Sequence, residues 1–276
     1  MERKIERISR GTAGDGKEAH LFRIPNSTND YIELSTRGCV LEGVCLHGPD
    51  GGMENVLAQD APEAGGLLWA GEAGRAAVPP GAVWDVAETG ENYVFLTCRA
   101  GGENGGITLG ARVMWVNLNR LVADLFVTPE RPAALDIRSA LLLRTGGGEG
   151  PAALRTFCPS CRVDGVWRPA AETPYGALRF QPLTAAAAFA APEGTEVRPV
   201  AELAGTAENL AVSVYGDLPE ARFLPLEGGV RAVQTFSGPV ALEGGQTCAC
   251  RVIYGFDRIP PEGGAEEPLS PFGAFL

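Results

Sequence analysis

Histidine is nearly absent: the 276 residues include only two, His20 and His47, both near the N-terminus. That scarcity limits any scheme in which two histidines serve as acid and base, because no third is available to complete a site elsewhere. Long apolar runs are missing too, and none approaches the ~20 residues that cross a bilayer. The opening MERKIERISR is charged and carries no apolar stretch, so the sequence predicts no signal peptide. The 23 Lys and Arg are scattered singly among 34 Asp and Glu and form no basic stripe. A net charge of -11 repels phosphate backbones and anionic lipid, which excludes nucleic acid and membranes as partners. Together these features predict a soluble, cytoplasmic protein.

An even cysteine count is also lacking. Seven cysteines without a secretion signal do not read as a disulfide framework. Cys158 and Cys161 form a CxxC, and Cys248 and Cys250 a CxC. Thiolates from two loops would complete a zinc tetrahedron, but a lone CxxC has no matching second pair. The CxC puts both sulfurs on one face of a strand, where reduced cysteine packs as a small hydrophobe. The second reading is the simpler, and no metal or cofactor is expected.

What the chain does have is punctuation. Its 37 glycines and 21 prolines recur as GGENGG, TPERP, GGGEG, ETPYG and LEGG, supplying the backbone angles that turns require. Between them lie short β-like runs: Tyr93 to Arg99, Ile107 to Val116, Leu121 to Val127, Leu210 to Tyr215 and Thr247 to Phe256. The alanine run at 184–191 is open to a short helix, though it lacks an N-cap box and meets Pro192. No shift in composition marks a boundary. The expectation is one all-β domain over residues 1–276, built from two large packed sheets with few short helices. Residues 31–47 should form two strands joined at Arg37-Gly38.

Residues 20–57, "HLFRIPNSTNDYIELSTRGCVLEGVCLHGPDGGMENVL", resemble the opening of the aldose 1-epimerase (galactose mutarotase) family. Three later stretches keep the same order: "AVWDV" at 82–86, "CRVDGVWRPAAETPYGAL" at 161–178 and "VALEGGQTCACRVIYGF" at 240–256. The resemblance implies an antiparallel β-supersandwich in which a sugar binds across the concave face of one sheet. It also implies that His47 falls on a strand-edge turn where the family has no catalytic group, and that His20 precedes the first strand.

Mutarotation needs a base for the anomeric hydroxyl and an acid for the ring oxygen. The resembling family is understood to use a glutamate and a histidine, with a second histidine and an arginine placing the sugar. In "VRAVQTFSGPVAL", Gln234 stands where the glutamate is expected, and an amide hydrogen-bonds without accepting a proton. In "IRSALLLRTGG", Ser139 stands where the main histidine is expected. The second histidine has no counterpart in "GRAAVPPGAVW", and the aspartate of a later segment falls in the alanine run. Arg75 in "AGR" matches the family arginine.

These matches imply a mutarotase-like protein that binds a small sugar or sugar phosphate without ordinary epimerase chemistry. Gln234, Arg75, Ser139 and Trp84 are the candidate ligand contacts, with Trp69, Trp84 and Trp167 as stacking faces or core residues. Two alternatives stand beside it. One is an isomerase with a rebuilt site using Asp85, Asp136, Asp164 or Glu172; the other is a structural or protein-binding role. Nothing in the sequence sets an oligomeric state.

Overall fold

The computed structural model describes residues 4–58, 67–72, 75–79, 81–101, 106–144, 152–163, 165–191, 194, 196–206, 210–226 and 230–258. It is 67% strand and 3% helix, as the turn-rich sequence predicts. In chain order the strands are β1 (Glu6–Thr12), β2 (Glu18–Pro25), β3 (Tyr31–Ser35), β4 (Val40–His47), β5 (Met53–Asn55), β6 (Trp69–Glu72), β7 (Arg75–Ala76) and β8 (Asp85–Thr89). They continue as β9 (Tyr93–Ala100), β10 (Ile107–Val116), β11 (Arg120–Pro129), β12 (Ala133–Arg144), β13 (Ala153–Thr156), β14 (Ser160–Val163) and β15 (Val166–Pro169). The last are β16 (Gln181–Pro182), β17 (Ala187–Ala190), β18 (Arg198–Thr206), β19 (Leu210–Gly216), β20 (Glu220–Pro225), β21 (Val230–Leu242) and β22 (Cys248–Arg258).

Strands β1 to β5 pair in sequence as a five-stranded sheet. A nine-stranded sheet runs β16-β13-β18-β19-β22-β11-β10-β9-β8, and an eight-stranded sheet runs β15-β14-β17-β20-β21-β12-β6-β7. Strand β12 shows why the chain folds this way. Leu135, Ile137, Ser139, Leu141 and Leu143 alternate with Asp136, Arg138 and Ala140, and the first set is buried. That period of two demands a pleated strand with one face in the core.

The nine-stranded sheet is the layer common to the other two. At β10 the buried Trp115 ring donates its Nε1 hydrogen to the Asp30 carbonyl, 3.0 Å away, beside the five-stranded sheet. At β22 the buried Tyr254 hydroxyl lies 3.4 Å from that of Ser139 in the eight-stranded sheet. A main-chain bridge between Leu57 and Leu143 ties the segment after β5 to β12. One apolar cluster draws on all three sheets.

Strands β3 and β4 are joined through Gly38 at φ +74°, as the Arg37-Gly38 corner predicts. The left-handed region favours glycine there, and the Gly38 amide donates to the Ala82 carbonyl at 2.8 Å. Two expectations are corrected. His20 does not precede the first strand; it sits inside β2, buried beside β1. The alanine run makes no described helix, because residues 187–190 form β17 and are held as a strand by β14 and β20. Ladder bonds on both sides override the helix propensity of alanine.

Candidate functional site

Residues directly opposite one another in an antiparallel ladder project from the same face. The register of the eight-stranded sheet therefore fixes which side chains share its outer surface. One line runs Trp69, Arg138, Phe236, Glu220, Ala190 and Ser160, across β6, β12, β21, β20, β17 and β14. The next runs Ala140, Gln234, Arg222, Ala188, Arg162 and Trp167, from β12 to β15.

The centre of this face is a lattice of arginine and aromatic rings. The Arg138 guanidinium carbon lies 4.2 Å from the Trp69 ring centre and 5.3 Å from that of Phe236. Arg222 approaches the Phe236 ring to 4.4 Å from the other strand. Each such contact stabilises by about 0.5–2 kcal/mol, the larger figure where water is excluded. Arg138 also donates to Asp136 at 3.3 Å, and Arg222 to Glu220 at 2.7 Å. Both ion pairs join residues two apart on one strand. The buried Arg138 Nε meets no acceptor among the described residues, and the Gln234 amide has no hydrogen-bond partner among them.

The four candidate contacts separate. Gln234 stands on this face between Arg222 and Ala140. Ser139 does not: it is fully buried, its hydroxyl turned to Tyr254 on the opposite side of the sheet. The outward neighbours of Ser139 are Arg138 and Ala140, because adjacent residues of a strand point to opposite faces. Trp84 lies just before β8, 2% exposed and inside the apolar cluster, so it offers no open stacking surface. Arg75 begins β7, paired with Glu72 at the end of the sheet that bears Trp69, and its side chain lies outside the described residues.

Of the carboxylates, Asp136 is on the face, whereas Asp85 belongs to β8 of the other large sheet, where Lys17 holds it at 2.9 Å. Glu172 is exposed in a short 3-10 turn, and Asp164 lies outside the described residues. Sequence reasoning missed Arg138, Phe236, Glu220 and Arg222. Parity along the strands was the available signal, since Glu220 and Arg222 alternate with the buried Ala221 and Phe223.

Both histidines are on the five-stranded sheet. His47 ends β4, and its Nδ1 is 2.8 Å from the Asp30 carboxylate. Burial alone would raise the Asp30 pKa, but the Thr28 hydroxyl and the amide and ring of His47 together hold it below the usual carboxylate range. Because Trp115 is bonded to the Asp30 carbonyl, this dyad anchors the small sheet to the sandwich. The His20 Nε2 lies 2.5 Å from the Arg7 guanidinium of β1, and its Nδ1 is buried with no partner among the described residues.

The cysteines are free, six buried and Cys248 half-buried. Cys158 points its sulfur at the Val200 carbonyl and Cys161 at Thr173. Burial pushes the Cys158 thiol up to about 11.

This architecture is that of the galactose mutarotase-like proteins: many solved structures that share it carry the names galactose mutarotase or aldose 1-epimerase. One is a GalM/aldose epimerase homologue from C. elegans, with a TM-score of 0.71 and 11% identity over 88% of this chain and 100% of its own. The galactose 1-epimerase of Lactobacillus acidophilus NCFM gives 0.70 and 14%, over 92% and 98%. A galactose mutarotase-like protein from Lactobacillus casei gives 0.60 and 13%, over 86% and 100%. No protein-family model matches the sequence, and no curated protein does.

Proposed function

We propose that this chain is a mutarotase-like carbohydrate-binding protein that holds a small sugar or sugar phosphate on the outer face of the eight-stranded sheet, without ordinary aldose 1-epimerase chemistry. The observation that carries the reading is the position of Gln234. It stands beside Arg222 on that face, while the two histidines of the chain belong to β2 and β4 of another sheet. An amide donates to and accepts from hydroxyls but takes no proton. Forked arginines suit hydroxyls or a phosphate, and Trp69 and Phe236 give the apolar flank on which a ring packs. The fold shared with proteins named for galactose and aldose epimerisation supports a saccharide as the ligand. We read residues 1–276 as one domain, and free thiols suit the cytoplasm.

Binding to a monosaccharide is expected to be weak, on the order of millimolar. A panel of hexoses and hexose phosphates, titrated by NMR and tryptophan fluorescence, should perturb the protein. Gln234→Ala and Arg222→Ala should each weaken the response several-fold. Polarimetry should find no mutarotation of glucose or galactose above buffer, and robust turnover would overturn the non-catalytic reading. Silence across the whole panel would favour a structural role.

A second reading rests on Asp136 and Glu220, two carboxylates on the same face as Gln234. Each is ion-paired to an arginine of its own strand. Loss of turnover in Glu220→Gln, in a wild type that does turn over, would identify such a rebuilt isomerase.

A further inference from the structure

We propose that the saccharide site continues along the sheet as far as Trp167, so that the ligand is a linear oligosaccharide and the sugar contacts around Gln234 are one end of a longer surface. This rests on the reading of that face as a saccharide site.

Trp69 and Trp167 project from the same face at opposite ends of the sheet order, with Trp69 on β6 and Trp167 on the edge strand β15. Six strand spacings separate them, or about 29 Å measured along the sheet at ~4.8 Å per strand. A single pyranose occupies a small part of that length. The floor changes character on the way. Between β6 and β20 it carries Arg138, Phe236, Gln234, Glu220 and Arg222. Beyond them, on β17, the same face carries only the methyl groups of Ala188 and Ala190. The side chains of β17 thus rise little above this face, and beyond them it carries Ser160, Arg162 and, on the edge strand, Trp167.

The exposure of Trp167 is the independent observation. It is 41% accessible on a strand whose four residues are all exposed, while Trp84 and Trp115 are buried. The packing of the fold does not require a tryptophan there. An exposed aromatic face beyond the polar groups of this sheet suits the C–H face of a sugar ring. The chain's net charge of -11 disfavours a nucleic acid strand on the same face.

The test is calorimetric titration with glucose and galactose and with linear oligomers of each up to the hexamer, alongside tryptophan fluorescence. Affinity for the preferred series should rise about tenfold or more from monomer to hexamer, the increment expected of one added stacking subsite. Trp167→Ala should collapse the hexamer-to-monomer ratio toward one, and Trp167→Phe should recover part of it. Far-ultraviolet circular dichroism and urea unfolding on both variants establish that the fold is retained. Equal affinity for monomer and hexamer, or a length increment that survives Trp167→Ala, overturns the extended site while leaving the monosaccharide reading intact. Failure of every saccharide to bind overturns both.

Discussion

The outer faces of the two large sheets follow the same alternation and both carry arginine, carboxylate and aromatic side chains, yet they dispose of them differently. On the nine-stranded sheet the ion pairs run across strands. Arg155 of β13 is directly opposite Glu202 of β18, and its Nε donates at 2.6 Å. Phe157 and Phe180 flank the guanidinium at 5.2 and 5.0 Å. Asp124 of β11 faces Arg251 of β22 in a two-pronged pair. The Arg155 and Glu202 side chains are only 9% and 8% exposed.

On the eight-stranded sheet the pairs Asp136–Arg138 and Glu220–Arg222 run along single strands, with the arginines 39% and 41% exposed. A cross-strand pair uses up the polar groups of two strands at once. A pair within one strand leaves the neighbouring strand's group, here Gln234, open to something else. Charged residues on a sheet therefore point to a ligand according to whom they pair with, more than by their number.

The sharpest way to break this contrast is to cut one pair on each face. Arg155→Ala strands a buried Glu202 carboxylate and should cost about 3–5 kcal/mol in urea unfolding. Arg222→Ala should cost less than about 1 kcal/mol, because its charge is half in water. Comparable losses would remove the distinction between a packed face and an open one.

A smaller effect separates the two sides of β12 and β21. Ser139→Ala removes a hydroxyl beside Tyr254 in the core and should cost about 1 kcal/mol, with saccharide titrations unchanged. Gln234→Ala should do the reverse, leaving the unfolding midpoint nearly in place while the titration weakens. If Ser139→Ala impaired binding, its placement in the core would be wrong.

The five-stranded sheet gives a contrast in pH. The Asp30 carboxyl is held below its ordinary range in the fold, so it stabilises above the unfolded value, about 3.9, and that stability is lost as pH falls through the folded value. Asp30→Asn should flatten the acid side of the stability curve between about pH 5 and pH 2, followed by urea midpoints. An unchanged slope would show that the dyad contributes nothing to anchoring the small sheet. The smallest expected effect is at Lys17–Asp85, an exposed pair. Asp85→Asn should shift stability by less than about 0.5 kcal/mol.

The strands were legible in the sequence because alternation and turn glycines agree: the expected run at 107–116 is β10 to the residue, and the corner at Gly38 joins β3 to β4. The alanine run misled because its state is set by its neighbours in the ladder, which for Ala188 are Arg162, 26 residues earlier, and Arg222, 34 residues later, and these come alongside only once the chain has folded. The site was partly legible. Gln234 lies on the outer face and Ser139 in the core, and in a strand one residue is the difference between the two. Arg138, Glu220, Arg222, Phe236 and Trp69 come from four strands, and only the register of the sheet brings them together.

The free thiols offer one more consequence. Cys45, Cys98, Cys161 and Cys250 are buried in β4, β9, β14 and β22, strands spread over all three sheets. A shielded thiol reacts with an alkylating reagent only when its surroundings open. The chain thus carries internal clocks, and the order in which iodoacetamide marks these positions under native conditions would rank the three sheets by how often each one breathes.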